Sequence, residues 1–223
     1  MTDASFVQLL EFKRVGKRYG DLVVLRDLSF HVARNEFVWL LGPSGAGKST
    51  VLRLISALEM PTEGEIVIAG QSLARMRQRV LPRLRRSIGL VSHDPLLLDD
   101  RNLLQNVALP LVAAGVGWRE SLHWAAVAMQ RVGLTENDGR AFPRRVPGSV
   151  RQRTALARAV VNRPALLLVD EPTAHLDHAT AAGVISLLQE FVASGLTVVC
   201  TETSASRIPD GPRAIAIQPA ASA

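Results

Sequence analysis

The stretch Gly42-Pro43-Ser44-Gly45-Ala46-Gly47-Lys48-Ser49 fits the pattern G-x-x-x-x-G-K-[ST] and organises the interpretation of the whole chain. An apolar run at 37–41 leads into it and predicts a buried strand, and apolar positions on one face predict a helix over 50–58. The glycines let the backbone turn tightly, so that successive N–H groups point at phosphate oxygens. Strand, loop and helix in this order predict a phosphate-binding loop rather than an ordinary glycine-rich turn. A nucleoside triphosphate is the expected ligand.

Two side chains of this loop carry specific expectations. Lys48 should reach the β- and γ-phosphates, and the Ser49 hydroxyl should hold Mg²⁺. A second motif, at 166–171, has four apolar residues followed by Asp170 and Glu171. Its acids emerge at the C-terminal edge of a predicted strand, where open α/β sheets bind ligands. Asp170 is expected to hold Mg²⁺ and Glu171 to polarise the attacking water, whereas an acidic turn is the alternative that the phosphate loop disfavours.

Length and composition restrict the class of protein. The 223 residues suffice for one domain, with or without a subdomain. No apolar run approaches the ~20 residues of a membrane-spanning helix, and residues 1–5 contain an acid instead of a basic signal-peptide region. A cytoplasmic protein is therefore expected. The single cysteine, Cys200, lies in the apolar run 196–200 and is expected to be buried.

The net charge of +6 comes from arginines in two clusters. Residues 75–86 contain six arginines and residues 140–169 contain seven, in both cases without an acid. Such clusters can bind nucleic acid, anionic lipid or an acidic partner, or can be solvated faces. Few aromatic residues accompany them, which makes a nucleic-acid partner unlikely on base-stacking grounds.

Hydrophobic patterns predict an α/β core with an attached helical part. Strand-like stretches occur at 7–12, 22–32 and 65–68, and helical spacing recurs at 118–132, 156–160 and 184–192. The runs 165–169 and 196–200 are short and continuously apolar, as in parallel strands that are covered on both faces.

With these motifs in this order, the chain resembles the nucleotide-binding domain of ABC ATPases over nearly its whole length. The resemblance implies one domain over 1–223: a P-loop NTPase core of ABC type with an antiparallel β subdomain and a helical subdomain at roughly 94–160. Tyr19 lies where the family stacks an aromatic ring on adenine, and 174–177 resembles the loop that crosses the dimer interface. The implied ATP-binding residues are Tyr19, Gly42, Pro43, Ser44, Gly45, Ala46, Gly47, Lys48, Ser49, Thr50, Gly148 and Ser149.

Within the family, stretches 99–107 and 158–164 are similar to the FtsE-type subunits of cell-division complexes. That resemblance implies a head-to-tail homodimer with ATP and Mg²⁺, bound at the inner face of the membrane to an FtsX-like integral membrane protein. The partner's helix would dock around His93, 96–98 and Arg101, beside the arginines of 75–86. Alternatives are the ATPase of a small exporter of the lipoprotein-releasing or macrolide type, and a scaffold that binds nucleotide without hydrolysis. A soluble DNA-associated ABC ATPase is disfavoured, because no coiled-coil insertion or zinc site is found.

Three positions depart from the family pattern. The signature serine is replaced by Pro147, which has neither a hydroxyl nor an N–H, although Gly148 and Ser149 keep their amides. His93 takes the place of the glutamine that touches Mg²⁺, so it is a candidate for both metal binding and catalysis. Thr203, or Glu202 if the register slips by one, takes the place of the switch histidine. Losing one preorganised donor costs ~10²–10³ in rate, so we expect nucleotide binding with slow hydrolysis.

Overall fold

The computed structural model describes residues 8–174 and 176–220, and these form two compact units. The first unit comprises the chain up to Arg85 and from Phe191 onward, and the second comprises 86–190. The strands are β1 (Gln8–Tyr19), β2 (Leu22–Ala33), β3 (Phe37–Leu41), β4 (Glu63–Ile68), β5 (Gln71–Ser72), β6 (Ile88–Val91), β7 (Leu166–Val169), β8 (Thr197–Glu202) and β9 (Arg213–Ala216). The helices are α1 (Lys48–Ile55), α2 (Leu81–Arg86), α3 (Leu103–Ala113), α4 (Trp118–Arg131), α5 (Glu136–Arg140), α6 (Gly148–Val160) and α7 (His178–Ala193).

The first unit contains an antiparallel sheet in the strand order β2, β1, β4, β5. β1 pairs with β2 so that Lys17 faces Leu25 and Tyr19 faces Leu22 across a tight turn. Leu10, Phe12 and Ile66 are almost fully buried in this sheet. The strands predicted at 7–12, 22–32 and 65–68 are thus found, with β1 extending further than predicted; Val7 itself lies outside the described residues.

The parallel strands of the first unit place β3 between β8 and β9. β3 is buried over Phe37–Leu40 because side chains of its continuous apolar run pack on both faces. Cys200 lies opposite Trp39 in the register, is wholly buried, and has its thiol pKa raised chiefly by that burial. The expected burial of Cys200 is confirmed.

The second unit combines the parallel pair β6 and β7 with a group of helices, in which α3 packs against α4 and α6. Gly89 of β6 allows α6 to approach closely, since a Cβ there would lie 2.5 Å from the Ala159 carbonyl oxygen. Helices α3 to α6 fall between 103 and 160. A single domain over 1–223 with a helical subdomain at roughly 94–160 stays a prediction.

The helix after the phosphate loop differs from its predicted range of 50–58. It begins at Lys48, directly after Gly47, and it ends at Ile55. The early end has a local cause: Ala57 adopts a left-handed conformation with φ of 53°, and the Leu58 N–H bonds back to the Arg53 carbonyl. The chain therefore turns at Ala57, and Leu58 is exposed instead of packed on the helical face.

Candidate functional site

The phosphate loop connects β3 to α1 with the backbone that its glycines permit. Gly45 and Gly47 have φ of 80° and 90°, in the left-handed region that favours glycine. A Cβ on Gly42 would lie 2.2 Å from the Ile217 carbonyl oxygen, and one on Gly47 would lie 2.7 Å from Leu25 Cδ2. Gly47 is the N-cap of α1 and no side chain caps it, so the first N–H groups of the helix keep their hydrogen-bonding capacity for an anion.

Lys48 is drawn into this loop. Its side chain is 5% exposed, and its ammonium donates to the carbonyl oxygens of Gly42 at 2.8 Å and Pro43 at 3.0 Å. Pro43, Ser44 and Gly45 are exposed at the tip of the loop. A buried ammonium held at the base of an exposed turn of N–H groups suits a phosphate chain, whose oxygens accept hydrogen bonds from both.

Tyr19 lies at the end of β1 and its residue is 40% exposed. The tyrosine hydroxyl donates to the carboxylate of Glu59, which also pairs with Lys17 and Arg53. Sequence reasoning singled out Tyr19 but did not predict Glu59 or the two cations that pair with this carboxylate. Glu59 is 40 residues away in the chain, and no periodic pattern connects the two positions.

The acidic edge of the second unit follows β7, all four residues of which are buried. The Asp170 N–H donates to the Val91 carbonyl at 2.8 Å and fixes where the strand ends. Glu171 follows with φ of 47°, a strained conformation for a residue other than glycine. Such strain marks a backbone position that the surrounding structure imposes, here at a predicted catalytic residue.

His93 lies beside this edge, with Nδ1 3.9 Å from Glu171 Oε2. The structure therefore brings together two of the three residues predicted to be catalytic. The distance is too long for a hydrogen bond. Among residues with described positions, no group of three or more His, Cys, Asp and Glu side chains is arranged to hold a metal ion.

At the signature position, α6 begins at Gly148 with Pro147 as its N-cap. Pro147 has φ of −58° and ψ of 159°, and no side chain caps the helix. Gly148 is exposed and Ser149 is half-buried, and the first turn contains no acid. The helix end is compatible with an anion, although it lacks the serine hydroxyl and one amide.

The switch position lies after β8, where Glu202 and Thr203 were the two candidates. Glu202 is 1% exposed, and its Oε1 accepts from the Thr203 N–H at 2.7 Å and from the Thr203 hydroxyl at 3.1 Å. The Glu202 carbonyl accepts from the Gly42 N–H at 3.2 Å, which ties this strand end to the phosphate loop. Glu202 is thus an internal structural group, and Thr203 is the half-buried residue that follows it.

The loop predicted to dock a membrane partner is held by two side chains whose roles the sequence did not reveal. The buried Asn106 accepts from the Leu98 N–H at 2.7 Å and donates to the carbonyls of Leu98, Arg101 and Asn102. Arg158 donates to the carbonyls of Pro95 and Leu96. Leu96 and Leu98 remain 64% and 46% exposed on this fixed loop.

The loop at 174–177 is the segment predicted to cross the dimer interface. Asp177 caps α7 by accepting from the Thr180 N–H at 3.0 Å, whereas His175, also in the predicted loop 174–177, lies outside the described residues.

Of the helices whose positions are described, none combines the length and the apolar character that crossing a membrane requires.

Comparisons with known proteins place this geometry in a family. A family model described as "ABC transporter" matches residues 25–174. The chain is 41% identical over 192 residues to the cell division ATP-binding protein FtsE of Escherichia coli (strain K12), covering 86% of each chain. It is 38% identical over 207 residues to FtsE of Haemophilus influenzae, covering 92% of this chain and 94% of the relative.

A solved structure agrees with the fold. It is the dimeric structure of a post-hydrolysis state of an ATP-binding cassette bound to ADP and Pi, with a TM-score of 0.86, 31% identity and coverage of 94% of each chain. The expected ABC-type α/β fold and the similarity to FtsE are both confirmed. Since the family model spans most of the chain and both relatives match nearly all of it, this chain belongs to the ABC transporter family.

Proposed function

We propose that this chain is the ATP-binding subunit of an FtsE-like complex that acts in cell division at the inner face of the membrane. The observation that carries the proposal is the phosphate loop, with Lys48 buried at its base and the uncapped start of α1 behind it. The sequence similarity to two FtsE proteins supports the cell-division role. A head-to-tail homodimer with two ATP molecules is the proposed working form.

The proposed ligand is ATP with Mg²⁺. The Ser49 hydroxyl and the Asp170 carboxylate offer the oxygen ligands that Mg²⁺ prefers, whereas the nitrogen of His93 suits it less well. Bound Mg²⁺ would neutralise charge on the β- and γ-phosphates. Lys48 binds these phosphates, Tyr19 receives the base, and Glu171 accepts a proton from the attacking water.

Slow hydrolysis is part of the proposal, with Gly148 and Ser149 as the remaining signature donors and Thr203 as the switch residue. Pro147 supplies no donor, and Thr203 supplies an uncharged hydroxyl that bonds to Glu202. His93 lies within ion-pair distance of Glu171. These features also support the alternative of a nucleotide-binding scaffold without hydrolysis.

An FtsX-like integral membrane protein is the proposed partner, and the loop held by Asn106 and Arg158 is its proposed docking site. Two exposed leucines on a fixed loop present an apolar surface at low entropic cost. Co-purification tests the partner: the chain should be retained by a co-expressed FtsX-like protein, and Leu96→Asp with Leu98→Asp should abolish retention while ATP still binds. Retention by a small-exporter permease instead would replace the cell-division role with export.

The arginines of 75–86 support a location at the membrane surface. Arg75, Arg77, Arg79 and Arg83 are exposed, and among the described residues the side chains of these four make no hydrogen bond or ion pair. Arg85 is different, because its guanidinium donates to the Ala57 carbonyl at 2.7 Å. Free arginines near an anionic surface contribute about 1 kcal/mol each to membrane attraction.

We therefore expect the triple change of Arg75, Arg77 and Arg79 to Glu to reduce sedimentation with anionic vesicles at least ~10-fold, since three charges are reversed. ATP affinity should be unchanged. The matched control changes Arg26, Arg34 and Arg119 to Glu, which alters net charge equally at dispersed exposed sites. Equal losses in both variants, or no loss in either, would show that the cluster is a solvated face.

A further inference from the structure

A compact charged cluster surrounds the hydroxyl end of Tyr19. The Glu59 carboxylate accepts from the Tyr19 hydroxyl, lies 3.1 Å from Lys17 Nζ, and lies 3.4 Å from Arg53 Nη1. Lys17 also donates to the Met60 carbonyl at 3.0 Å. The tyrosine is thus anchored by a carboxylate that is itself held from two sides.

Burial distinguishes the anchor from ordinary surface ion pairs. The side chains of Lys17 and Glu59 are only 13% and 22% exposed. The pKa of Glu59 lies below its ordinary value, first because Tyr19 donates a hydrogen bond, against the opposing effect of burial, and then because Lys17 and Arg53 are near. Glu59 is therefore ionised at neutral pH and acts as a fixed acceptor.

The anchored ring stays partly exposed. Lys17 Nζ lies over the ring, 4.8 Å from its centroid, so that face is occupied. Tyr19 nevertheless remains 40% exposed. A ring that is covered on one face by an ammonium and is still partly exposed can stack on a second planar group.

The cluster also connects this platform to the phosphate loop. Lys17 faces Leu25 across the strand pair, and Leu25 packs against Gly47, the N-cap of α1. Arg53 is on α1 itself, five residues after Lys48. Ring and phosphate loop are consequently fixed relative to each other by β2 on one side and by α1 on the other.

We propose that Glu59 is a positioning residue that holds the Tyr19 ring at the orientation in which it stacks on the base of the nucleotide bound by the phosphate loop. The inference rests on the proposed binding of ATP. Glu59 touches neither base nor phosphate in this scheme. Its effect on affinity passes through the tyrosine hydroxyl, with Lys17 and Arg53 keeping the carboxylate in place.

A double-mutant cycle tests the coupling, with ATP and inorganic tripolyphosphate as the calorimetric ligands. Glu59→Ala and Tyr19→Phe both keep the ring but release its anchor, so each should weaken ATP binding by about five- to tenfold, less than removal of the ring would. The double variant should be no weaker than either single variant, because the two groups act as one unit. Tripolyphosphate, which has no base, should bind all four proteins equally.

Glu65→Ala is the control, since Glu65 is a half-buried carboxylate of the same sheet with no hydrogen bond or ion pair among the described residues. It should leave ATP affinity unchanged. Additive losses in the cycle, or equal losses for ATP and tripolyphosphate, would overturn the role of Glu59. If Glu59→Ala destabilises the fold, Glu59→Gln serves in the same cycle, because it keeps an acceptor but loses the charge that Lys17 and Arg53 hold.

A second readout does not depend on nucleotide. Tyr19 is the only tyrosine in the chain, so 3-fluorotyrosine labelling gives one ¹⁹F resonance. In Glu59→Ala this resonance should narrow and move toward that of free fluorotyrosine, and in Glu65→Ala it should not. An unchanged resonance would overturn the positioning role even if ATP binds, whereas failure of the wild type to bind ATP or tripolyphosphate would overturn only the proposed function.

Discussion

Two helices of this protein, α1 and α6, begin at predicted nucleotide contacts. Their first residues differ in backbone conformation and in burial. α1 starts after Gly47, which adopts a left-handed conformation, and Lys48 is buried and donates to a carbonyl of the preceding loop. α6 starts after Pro147, where Arg151 of the first turn donates to the Val146 carbonyl at 3.1 Å but stays half-buried, and Gly148 is exposed. Neither helix has a side-chain cap, whereas Asn102 and Thr135 cap α3 and α5.

This difference indicates whether nucleotide binding or ATP turnover is more sensitive to single substitutions. The proposed phosphate site at α1 depends on one continuous segment, whose backbone only glycine permits at Gly42 and Gly47. The contribution of α6 comes from a few donors, of which the signature serine is missing. We infer that nucleotide binding is retained by the structure of the loop, while turnover is reduced one donor at a time.

The largest effect should come from Lys48→Ala. Removing a buried ammonium that is proposed to bond two phosphates should lower ATP affinity by ~10²–10⁴, since each charge-assisted hydrogen bond contributes about 1.5–3 kcal/mol. Calorimetry measures the affinity, and circular dichroism verifies the fold, which the glycines set. Lys13→Ala, on the exposed part of β1, is the control. If Lys48→Ala bound ATP as tightly as the wild type, the buried lysine at the start of α1 would not contribute to phosphate binding, and α1 would not differ from α6 in this respect.

Glu171→Gln should affect turnover alone. Loss of the proposed general base should lower phosphate release by ~10²–10⁴ while ATP affinity remains within about twofold. Size-exclusion chromatography with ATP should show more dimer than for the wild type. Glu190→Gln, an exposed carboxylate on α7, should behave as wild type. Undiminished phosphate release by Glu171→Gln would assign the base to another residue.

Restoring the missing donors should raise turnover. Pro147→Ser with Thr203→His supplies a hydroxyl at α6 and an imidazole at the switch position, and should increase phosphate release at least ~10-fold with unchanged ATP affinity. Each single variant, measured in parallel, shows which donor limits the rate. If wild-type turnover already equals that of other ABC ATPases, Ser149 or another group compensates and the contrast between the two helices disappears.

The smallest effect concerns a capped helix. The pKa of Asp177 lies below its ordinary value because the Thr180 hydroxyl and N–H donate to it. A carboxylate with a lowered folded-state pKa stabilises the fold above its unfolded pKa, and this contribution is lost as pH falls through the folded pKa. Stability to urea should therefore fall less between pH 7 and about pH 3 in Asp177→Asn than in the wild type. Asp210→Asn is the control, and identical pH profiles for all three proteins would exclude a charged cap.

Local patterns predicted most of the fold. The strand at 37–41 matches β3, and the helix predicted at 118–132 matches α4 within one residue, because apolar spacing reflects burial directly. The helix at 50–58 was placed too late and too long, since the left-handed turn at Ala57 has no glycine to signal it. The spacing of apolar residues does not predict a left-handed backbone conformation at a residue other than glycine, so it could not locate this helix end.

The candidate site was predictable only in part for a related reason. Lys48 and Glu171 belong to contiguous motifs, so the sequence alone was enough to predict roles for them. Glu59, Asn106 and Arg158 act on backbone or side chains that folding brings close, as with the Arg158 guanidinium and the carbonyl of Leu96, 62 residues earlier. Such partners depend on tertiary packing, and no spacing rule encodes them.

The burial of Cys200 has a practical consequence for experiments on assembly. It is the only thiol in the chain and has no exposed surface, so maleimide or bifunctional reagents should not modify the native protein. One cysteine introduced at an exposed position, such as Ser206, would then be a unique attachment point without removal of the native residue. Fluorophore pairs or spin labels attached there would measure distances between two copies of the chain as nucleotide is added.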